Sequence, residues 1–128
     1  MGAAKCRILC VDDHEDSSAM LKILLSESDY EVHVANTFAE AIALVQVHEF
    51  DLYVLDKQLP DGSGTDLCRQ LNQLTPDVPC IFYTGDAYDL HRREAMAAGA
   101  GAYVSKPDID GLIDAVQRLL VERDCAVA

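Results

Sequence analysis

The sequence predicts an α/β domain in which a doubly wound parallel sheet of five strands carries helices on both faces. Short apolar runs alternate with segments whose apolar residues recur at helical spacing, and this alternation occurs five times. The length of 128 residues and the hydrophobic content of 50% suit one domain with a substantial core. We therefore predict a single domain over 1–128, with its core at about 5–122 and a frayed tail at 123–128.

The five predicted strands lie at 6–11, 31–35, 52–56, 78–83 and 102–105. In the first of these, only Arg7 interrupts an apolar run, which is typical of a strand buried on both faces of a parallel sheet. In the second, Val32 and Val34 alternate with polar residues, which predicts a half-exposed strand at the sheet edge.

A predicted helix follows each strand, at about 19–25, 37–45, 67–74, 88–98 and 108–120. Thr37 and Glu40 form a capping-box pattern at the start of the second helix, and Asp108 is a candidate cap for the fifth. The fourth helix is rich in alanine and charge, so we expect it to be the least firmly packed and to end at Gly99.

Residues suited to chemistry fall at the carboxyl ends of four predicted strands. They are Asp12 and Asp13, Asp56, Thr84 and Lys106. A flavodoxin-like strand order of 2-1-3-4-5 brings these ends together at one edge of the sheet. Because neighbouring strands lie about 4.8 Å apart, we expect Asp13 beside Asp56, Thr84 on the other flank, and Lys106 within reach.

Three carboxylates this close together repel one another, so either one pKa rises or a cation binds. Ligands that are all oxygen favour a hard cation such as Mg²⁺, held by Asp13 and Asp56, with Asp12 acting through water. Lys106 and the Thr84 hydroxyl would then hold phosphoryl oxygens while Asp56 attacks phosphorus as a nucleophile.

These residues, together with the run Leu59-Pro60-Asp61-Gly62 and the Lys106-Pro107 pair, resemble the receiver domain of two-component response regulators. The resemblance extends over about 7–120. It implies that Asp56 accepts a phosphoryl group from a sensor histidine kinase or a histidine phosphotransfer protein. It also implies Mg²⁺ or Mn²⁺ bound by Asp12, Asp13, Asp56 and the backbone carbonyl of Gln58, and a cis peptide before Pro107.

The resemblance further assigns Thr84 and Tyr103 to a switch pair that moves on phosphorylation. The surface formed by the fourth helix, fifth strand and fifth helix would change for a downstream protein or a linked effector domain, and could support a weak homodimer. Gln58 and Asp86 match positions that tune the lifetime of the phosphoryl group. We expect the side chain of Lys57 to point away from Asp56.

Other functions compete with this interpretation. A receiver-like interaction module that is never phosphorylated would keep the fold without the chemistry. A haloacid-dehalogenase-like phosphatase needs a second acid where Gln58 stands, and a flavodoxin-like FMN site would be repelled by Asp12 and Asp13. We expect no enzyme activity beyond self-directed phosphorylation and dephosphorylation.

The overall charge excludes some partners. Ten Lys and Arg residues against 22 Asp and Glu give a net charge of −12, which opposes direct binding to nucleic acid or an anionic membrane. The five cysteines show no CxxC pair, so we expect reduced structural thiols and a cytoplasmic protein. The four histidines, at positions 14, 33, 48 and 91, are expected on the surface without a metal role.

Overall fold

Strands and helices alternate along the chain in the computed structural model, which describes residues 6–27, 30–85 and 88–123. The strands are β1 (Arg7–Val11), β2 (Glu31–Ala35), β3 (Leu52–Leu55), β4 (Gln58–Leu59), β5 (Gly62–Ser63), β6 (Cys80–Thr84) and β7 (Ala102–Ser105). The helices are α1 (Glu15–Ser26), α2 (Phe38–Val47), α3 (Gly64–Leu74), α4 (Asp89–Ala97) and α5 (Ile109–Glu122).

Five of the strands form one parallel sheet in the order β2-β1-β3-β6-β7. Since β6 and β7 are the fourth and fifth strands of this sheet along the chain, the predicted order 2-1-3-4-5 is confirmed. The register pairs Val11 with Leu55, and Leu55 with Phe82, so that β1 and β3 end level with each other and β6 runs two residues further, to Thr84.

The Pro/Gly-rich segment after β3 contains a small antiparallel hairpin that the sequence did not predict. Gln58 pairs with Ser63 and Leu59 with Gly62, on either side of Pro60 and Asp61. Strands of two residues are too short to show any periodicity, which is why only a loop was expected.

Two apolar clusters cover the two faces of the sheet. On one face, α1 and α5 pack on the strands through Leu21, Leu25, Leu112, Val116 and Leu120. On the other face, α2, α3 and α4 pack through Ala41, Leu67, Cys68, Leu71 and Ala95. β1 and β3 are therefore buried on both sides, as the apolar run at 6–11 predicted, whereas β2 at the sheet edge is partly exposed, as its alternation predicted.

The predicted helix caps are present. Thr37 Oγ1 accepts a hydrogen bond from the Glu40 amide at 3.1 Å, and Asp108 Oδ1 accepts one from the Gly111 amide at 3.0 Å. The Glu40 carboxylate accepts from the Asn36 amide at 3.1 Å, one residue before the cap, so the capping box is only partly formed.

Gly99 ends α4, as predicted. Its φ of 106° lies in the left-handed region, and the Ala100 amide donates to the Ala95 carbonyl at 3.2 Å, which completes a Schellman motif.

Arg123, the first residue of the predicted frayed tail, is held in place by a hydrogen bond. Its Nη1 donates to the Asp77 carbonyl at 2.7 Å, and the rest of the predicted tail lies outside the described residues.

The cysteines follow the expectation only in part. Cys10, Cys68 and Cys80 are free and buried. Cys6, which is buried before β1, is disulfide-bonded, so the expectation of reduced thiols is wrong for this residue. Spacing along a sequence reveals local cysteine pairs but gives no information about contacts made through the fold.

Within the described ranges, no helix has the length and apolar character needed to cross a membrane.

Candidate functional site

The backbone pairing of β1 and β3 places two acids at the same edge of the sheet. Immediately after the paired residues Val11 and Leu55, the chain continues into Asp12 and Asp56. The Asp56 amide donates to the Val11 carbonyl at 2.9 Å, and the Asp12 amide donates to the Ala35 carbonyl at 3.0 Å. These bonds fix both backbones, so the two carboxyl groups are held in position by the sheet itself.

Lys106 reaches these acids from two strands away. Its amide donates to the Thr84 carbonyl at 2.8 Å, which ties the end of β7 to the end of β6. Its Nζ lies 2.8 Å from Asp12 Oδ2 and 3.3 Å from Asp56 Oδ2. The predicted reach of the lysine across the sheet edge is confirmed, and the Lys106–Pro107 peptide is cis, as the resemblance implied.

Charge and burial are balanced within this group. Asp12 is 2% exposed and Asp56 is 8% exposed, whereas Asp13 is exposed. Burial alone would raise the pKa of Asp12, but hydrogen bonds from Lys106, the His14 amide and Ser17 bring that pKa below its ordinary value. Burial likewise would lower the pKa of Lys106, and the Asp12 and Asp56 carboxylates outweigh it and raise that pKa.

His14 is exposed, as expected of a surface histidine, but its ring also lies against the acids of the site. Its Nδ1 lies 3.2 Å from Asp12 Oδ1, 3.2 Å from Asp13 Oδ1 and 3.9 Å from Asp56 Oδ2. The signal that could have found it is its position directly after the acid pair at the start of α1.

Two of the remaining predicted site residues, Thr84 and Gln58, line the pocket. Thr84 is buried and lines the same pocket as Asp56 and Lys106, while Gln58 stands exposed at the rim. Tyr103 is half-buried, and its ring stacks on Phe82 with centroids 6.1 Å apart. Since Phe82 and Thr84 are two residues apart in one strand, they share a face of the sheet. Asp86 lies outside the described residues.

Two neighbours fix the segment that carries Asp56. The Lys57 amide donates to Asp56 Oδ1 at 2.7 Å, while the Lys57 side chain turns away and places its Nζ 3.8 Å from Glu94 Oε2 on α4. Gly64 donates its amide to the Lys57 carbonyl at 2.6 Å. A Cβ on Gly64 would lie 2.0 Å from the Asp56 carbonyl oxygen, so only glycine allows this close approach.

The donor set fits a divalent cation. Among the described residues, Asp12, Asp13, His14 and Asp56 each offer a ligand atom, and these atoms lie within 4.8 Å of one another. Carboxylate oxygens are the ligands that hard cations prefer, and the open rim beside Gln58 leaves room for water and an anionic ligand. The arrangement therefore combines a held carboxylate, a fixed ammonium and a set of donors able to hold a cation.

Comparisons with known proteins agree with this geometry. The family model of the response regulator receiver domain matches residues 8–117. The DNA-binding transcriptional activator DevR/DosR of Mycobacterium tuberculosis is 41% identical over 109 residues, which are 83% of this chain and 49% of that protein. Response regulator MprA of Mycobacterium leprae is 34% identical over 115 residues, 89% of this chain and 50% of that protein.

Solved structures show the same fold. A CheY-like response regulator receiver domain protein from Methanospirillum hungatei JF-1 superposes with a TM-score of 0.89 at 33% identity, covering 94% of this chain and 98% of that one. The response regulator TrrA from Thermotoga maritima, solved in complex with Mg²⁺ and BeF, gives a TM-score of 0.81 at 32% identity, covering 90% and 99%.

The chain spans about half the length of the curated relatives it matches. Within that span, three findings indicate the same family. They are the match to the family model, the strand order, and the group formed by Asp12, Asp56 and Lys106. The chain belongs to the response regulator receiver domain family of two-component signal transduction.

Proposed function

We propose that Asp56 accepts a phosphoryl group from the phosphohistidine of a sensor histidine kinase or a histidine phosphotransfer protein. The observation that carries this proposal is the contact of the Lys106 ammonium with Asp56 Oδ2, at the mouth of a pocket where the backbone holds the acid in place. A carboxylate fixed beside an ammonium is positioned both to attack phosphorus and to have the charge of the transferred group neutralised.

The proposed transfer is balanced. An oxygen of the Asp56 carboxylate forms a bond to phosphorus as the bond from phosphorus to the donor imidazole nitrogen breaks, and that nitrogen keeps the electron pair. The product is a mixed anhydride of Asp56 and phosphate. The Lys57 amide, which already donates to Asp56 Oδ1, orients the other carboxylate oxygen.

Mg²⁺ or Mn²⁺ fits this site. Asp13, Asp56 and the Gln58 carbonyl would hold the ion directly and Asp12 through water, and the bound ion would offset the negative charge of the carboxylates and the phosphoryl group. Lys106 would contact one phosphoryl oxygen, and the Thr84 hydroxyl, which lines the same pocket, would contact another.

The change at Asp56 would be transmitted by Thr84 and Tyr103. Thr84 would move toward the phosphoryl group and Tyr103 would turn inward from its half-buried position beside Phe82. The surface made by α4, β7 and α5 would then bind a downstream protein or a linked effector domain, and could form a weak homodimer. Gln58 and Asp86 would tune the phosphoryl lifetime by controlling the access of water.

The experiment is intact-protein mass spectrometry after incubation with acetyl phosphate and Mg²⁺. We expect one phosphoryl group on the wild type, none on Asp56→Asn, and none when a chelator removes the metal. Asp66→Asn, which changes an exposed acid on α3, serves as the matched control and should gain the phosphoryl group normally. An adduct that survives in Asp56→Asn would contradict the proposal.

A wild-type protein that gains no adduct would be tested for binding of beryllofluoride, which mimics the phosphoryl group without turnover. Binding would show that the acyl phosphate forms and is lost quickly. Absence of both the adduct and beryllofluoride binding would support the alternative, in which the domain is an interaction module that is never phosphorylated.

A further inference from the structure

The side chain of His14 lies against the carboxylates of the proposed cation site. Its Nδ1 is 3.2 Å from an oxygen of Asp12, 3.2 Å from an oxygen of Asp13 and 3.9 Å from an oxygen of Asp56. The ring therefore faces into the pocket, although 70% of the side chain is exposed on its outer side. A nitrogen donor is thus placed among three oxygen donors.

The backbone of His14 is fixed independently of its ring. Its amide donates to Asp12 Oδ1 at 2.9 Å, and its carbonyl accepts from the Ser18 amide at 3.0 Å in the first turn of α1. His14 is the N-cap of that helix, with an extended backbone conformation. The Cα–Cβ bond is consequently held at the rim of the pocket, from which the ring reaches the carboxylates.

The donor spacing fits a single six-coordinate ion. In an octahedron with bonds of about 2.1 Å, adjacent ligand atoms lie about 3.0 Å apart and opposite ones about 4.2 Å apart. The distances from Nδ1 to Asp12 Oδ1 and Asp13 Oδ1, both 3.2 Å, are close to the adjacent spacing, and the 3.9 Å to Asp56 Oδ2 is close to the opposite spacing. A cation held by Asp13 and Asp56 would therefore lie within reach of the imidazole, with Asp12 beside it.

We propose that His14 is a further protein ligand that makes this receiver site selective for divalent ions of the first transition series over Mg²⁺. Imidazole nitrogen is a borderline donor that binds Co²⁺, Ni²⁺ and Zn²⁺ well, whereas Mg²⁺ prefers oxygen and keeps several waters. This inference rests on the cation site of the proposed function, but it concerns which ion is bound and does not depend on phosphoryl transfer.

The test compares Co²⁺ and Mg²⁺ binding by isothermal titration calorimetry on the unphosphorylated protein. The variant is His14→Asn, because asparagine is among the best N-cap residues and keeps the start of α1. We expect Co²⁺ affinity to fall about tenfold or more, and Mg²⁺ affinity to change less than about twofold. His48→Asn, at the far end of α2, is the control and should leave both affinities unchanged.

A second readout is the proton NMR spectrum of the Co²⁺-loaded protein. A ligating imidazole gives a strongly shifted exchangeable N–H signal, which should be present in the wild type and in His48→Asn and absent from His14→Asn. Equal Co²⁺ affinities for the wild type and His14→Asn would overturn the proposal. So would a change of the Mg²⁺ and Co²⁺ affinities by the same factor, because His14 would then act only through its effect on charge.

Failure of this inference and failure of the proposed function are distinguishable. If only the inference fails, His14→Asn and the wild type bind Co²⁺ alike, and the wild type still gains a phosphoryl group from acetyl phosphate with Mg²⁺. If only phosphoryl acceptance fails, the difference in Co²⁺ binding remains while neither protein gains the group.

Discussion

Lys106 supplies the positive charge that stabilises two buried carboxylates, those of Asp12 and Asp56, at neutral pH. Its ammonium lies between Asp12 Oδ2 and Asp56 Oδ2, at 2.8 and 3.3 Å. Both carboxylates are largely removed from water, and a buried charge without a partner is costly. The same ammonium would neutralise an incoming phosphoryl group, so one residue serves both the resting protein and the proposed reaction.

Replacing Lys106 by methionine should therefore lower the free energy of unfolding by about 2 kcal/mol at neutral pH in Mg²⁺-free buffer. Because folding lowers the pKa of Asp12, its ionised carboxylate stabilises the folded state. This stabilisation is complete above the pKa that Asp12 has in the unfolded chain, and it is lost as pH falls through the pKa that Asp12 has in the folded protein. Because folding raises the pKa of Lys106, its ammonium also stabilises the folded state. This stabilisation is complete below the pKa that Lys106 has in the unfolded chain, and it is lost as pH rises through its pKa in the folded protein.

The measurement is urea unfolding of the wild type and Lys106→Met at a series of pH values from acidic, through neutral, to basic. The difference between them should be largest near neutrality and shrink toward both extremes. Lys22→Met, on the exposed face of α1, is the control and should unfold like the wild type. A difference that grows on acidification would contradict this account of the ion pairs.

At the scale of secondary-structure elements, α4 is held to the sheet by few interactions. Ala95 is its only fully buried residue, and its N-cap Tyr88 makes no side-chain capping hydrogen bond. The buried stem of Lys57 reaches from the end of β3 to place Nζ 3.8 Å from Glu94 Oε2. The residue next to Asp56 is therefore linked to the helix that the proposed switch would move.

Removing this ion pair with Glu94→Gln should loosen α4. Because Glu94 is half exposed, the effect should be small, about 0.5 to 1 kcal/mol, or roughly a two- to fivefold faster exchange of α4 amides. Hydrogen–deuterium exchange of the unphosphorylated protein measures it. Glu122→Gln, which removes an exposed pair with Arg118 on α5, is the matched control. Unchanged exchange in α4 would show that the pair does not restrain the helix.

The start of α3 provides a second test of an element. A Cβ at Gly64 would meet the Asp56 carbonyl oxygen, a backbone atom of the residue whose amide is bonded to the Val11 carbonyl. Gly64→Ala should lower the free energy of unfolding by at least about 2 kcal/mol, as measured by thermal or urea unfolding. Gly85→Ala is the matched control, since nothing lies within 4 Å of its added Cβ. Equal stability of the two variants would contradict the close approach.

At the scale of the whole molecule, the chain carries a net charge of −12. The two apolar clusters on the faces of the sheet must hold the fold together against the mutual repulsion of these charges. This excess of acid opposes the compact state through self-repulsion, and dissolved salt screens it. We expect added NaCl, in the presence of a chelator, to raise the midpoint of thermal unfolding by about 2 to 4 °C. A midpoint that falls with NaCl would show that screened attractions outweigh the repulsion.

Most of the fold and of the site could be predicted because both follow from the period of the sequence. Apolar runs and helical spacing define a parallel sheet, and its strand ends must meet at one edge, which brings Asp12, Asp56 and Lys106 together. The identities of the residues at those ends were sufficient to indicate the chemistry.

The features that were missed depend on where a side chain points or on contacts distant in sequence. The ring of His14 turns toward the acids, the Lys57 ammonium finds Glu94, and Asp61 accepts the amides of Phe38 and Ala39 at 2.7 and 3.0 Å to cap α2 a second time. No spacing rule links Lys57 to Glu94 or Asp61 to α2, because the tertiary structure creates these contacts, and the adjacency of His14 to the acids does not tell where its ring points.

The central claim is that Asp56, among several neighbouring acids, is the residue that accepts phosphate. The most direct test is to treat the phosphorylated protein with borohydride, which reduces an acyl phosphate to an alcohol, and to locate the modified residue by tandem mass spectrometry. The account predicts homoserine at position 56, with Asp12 and Asp13 unchanged. Homoserine at either of those positions, with an intact Asp56, would contradict it.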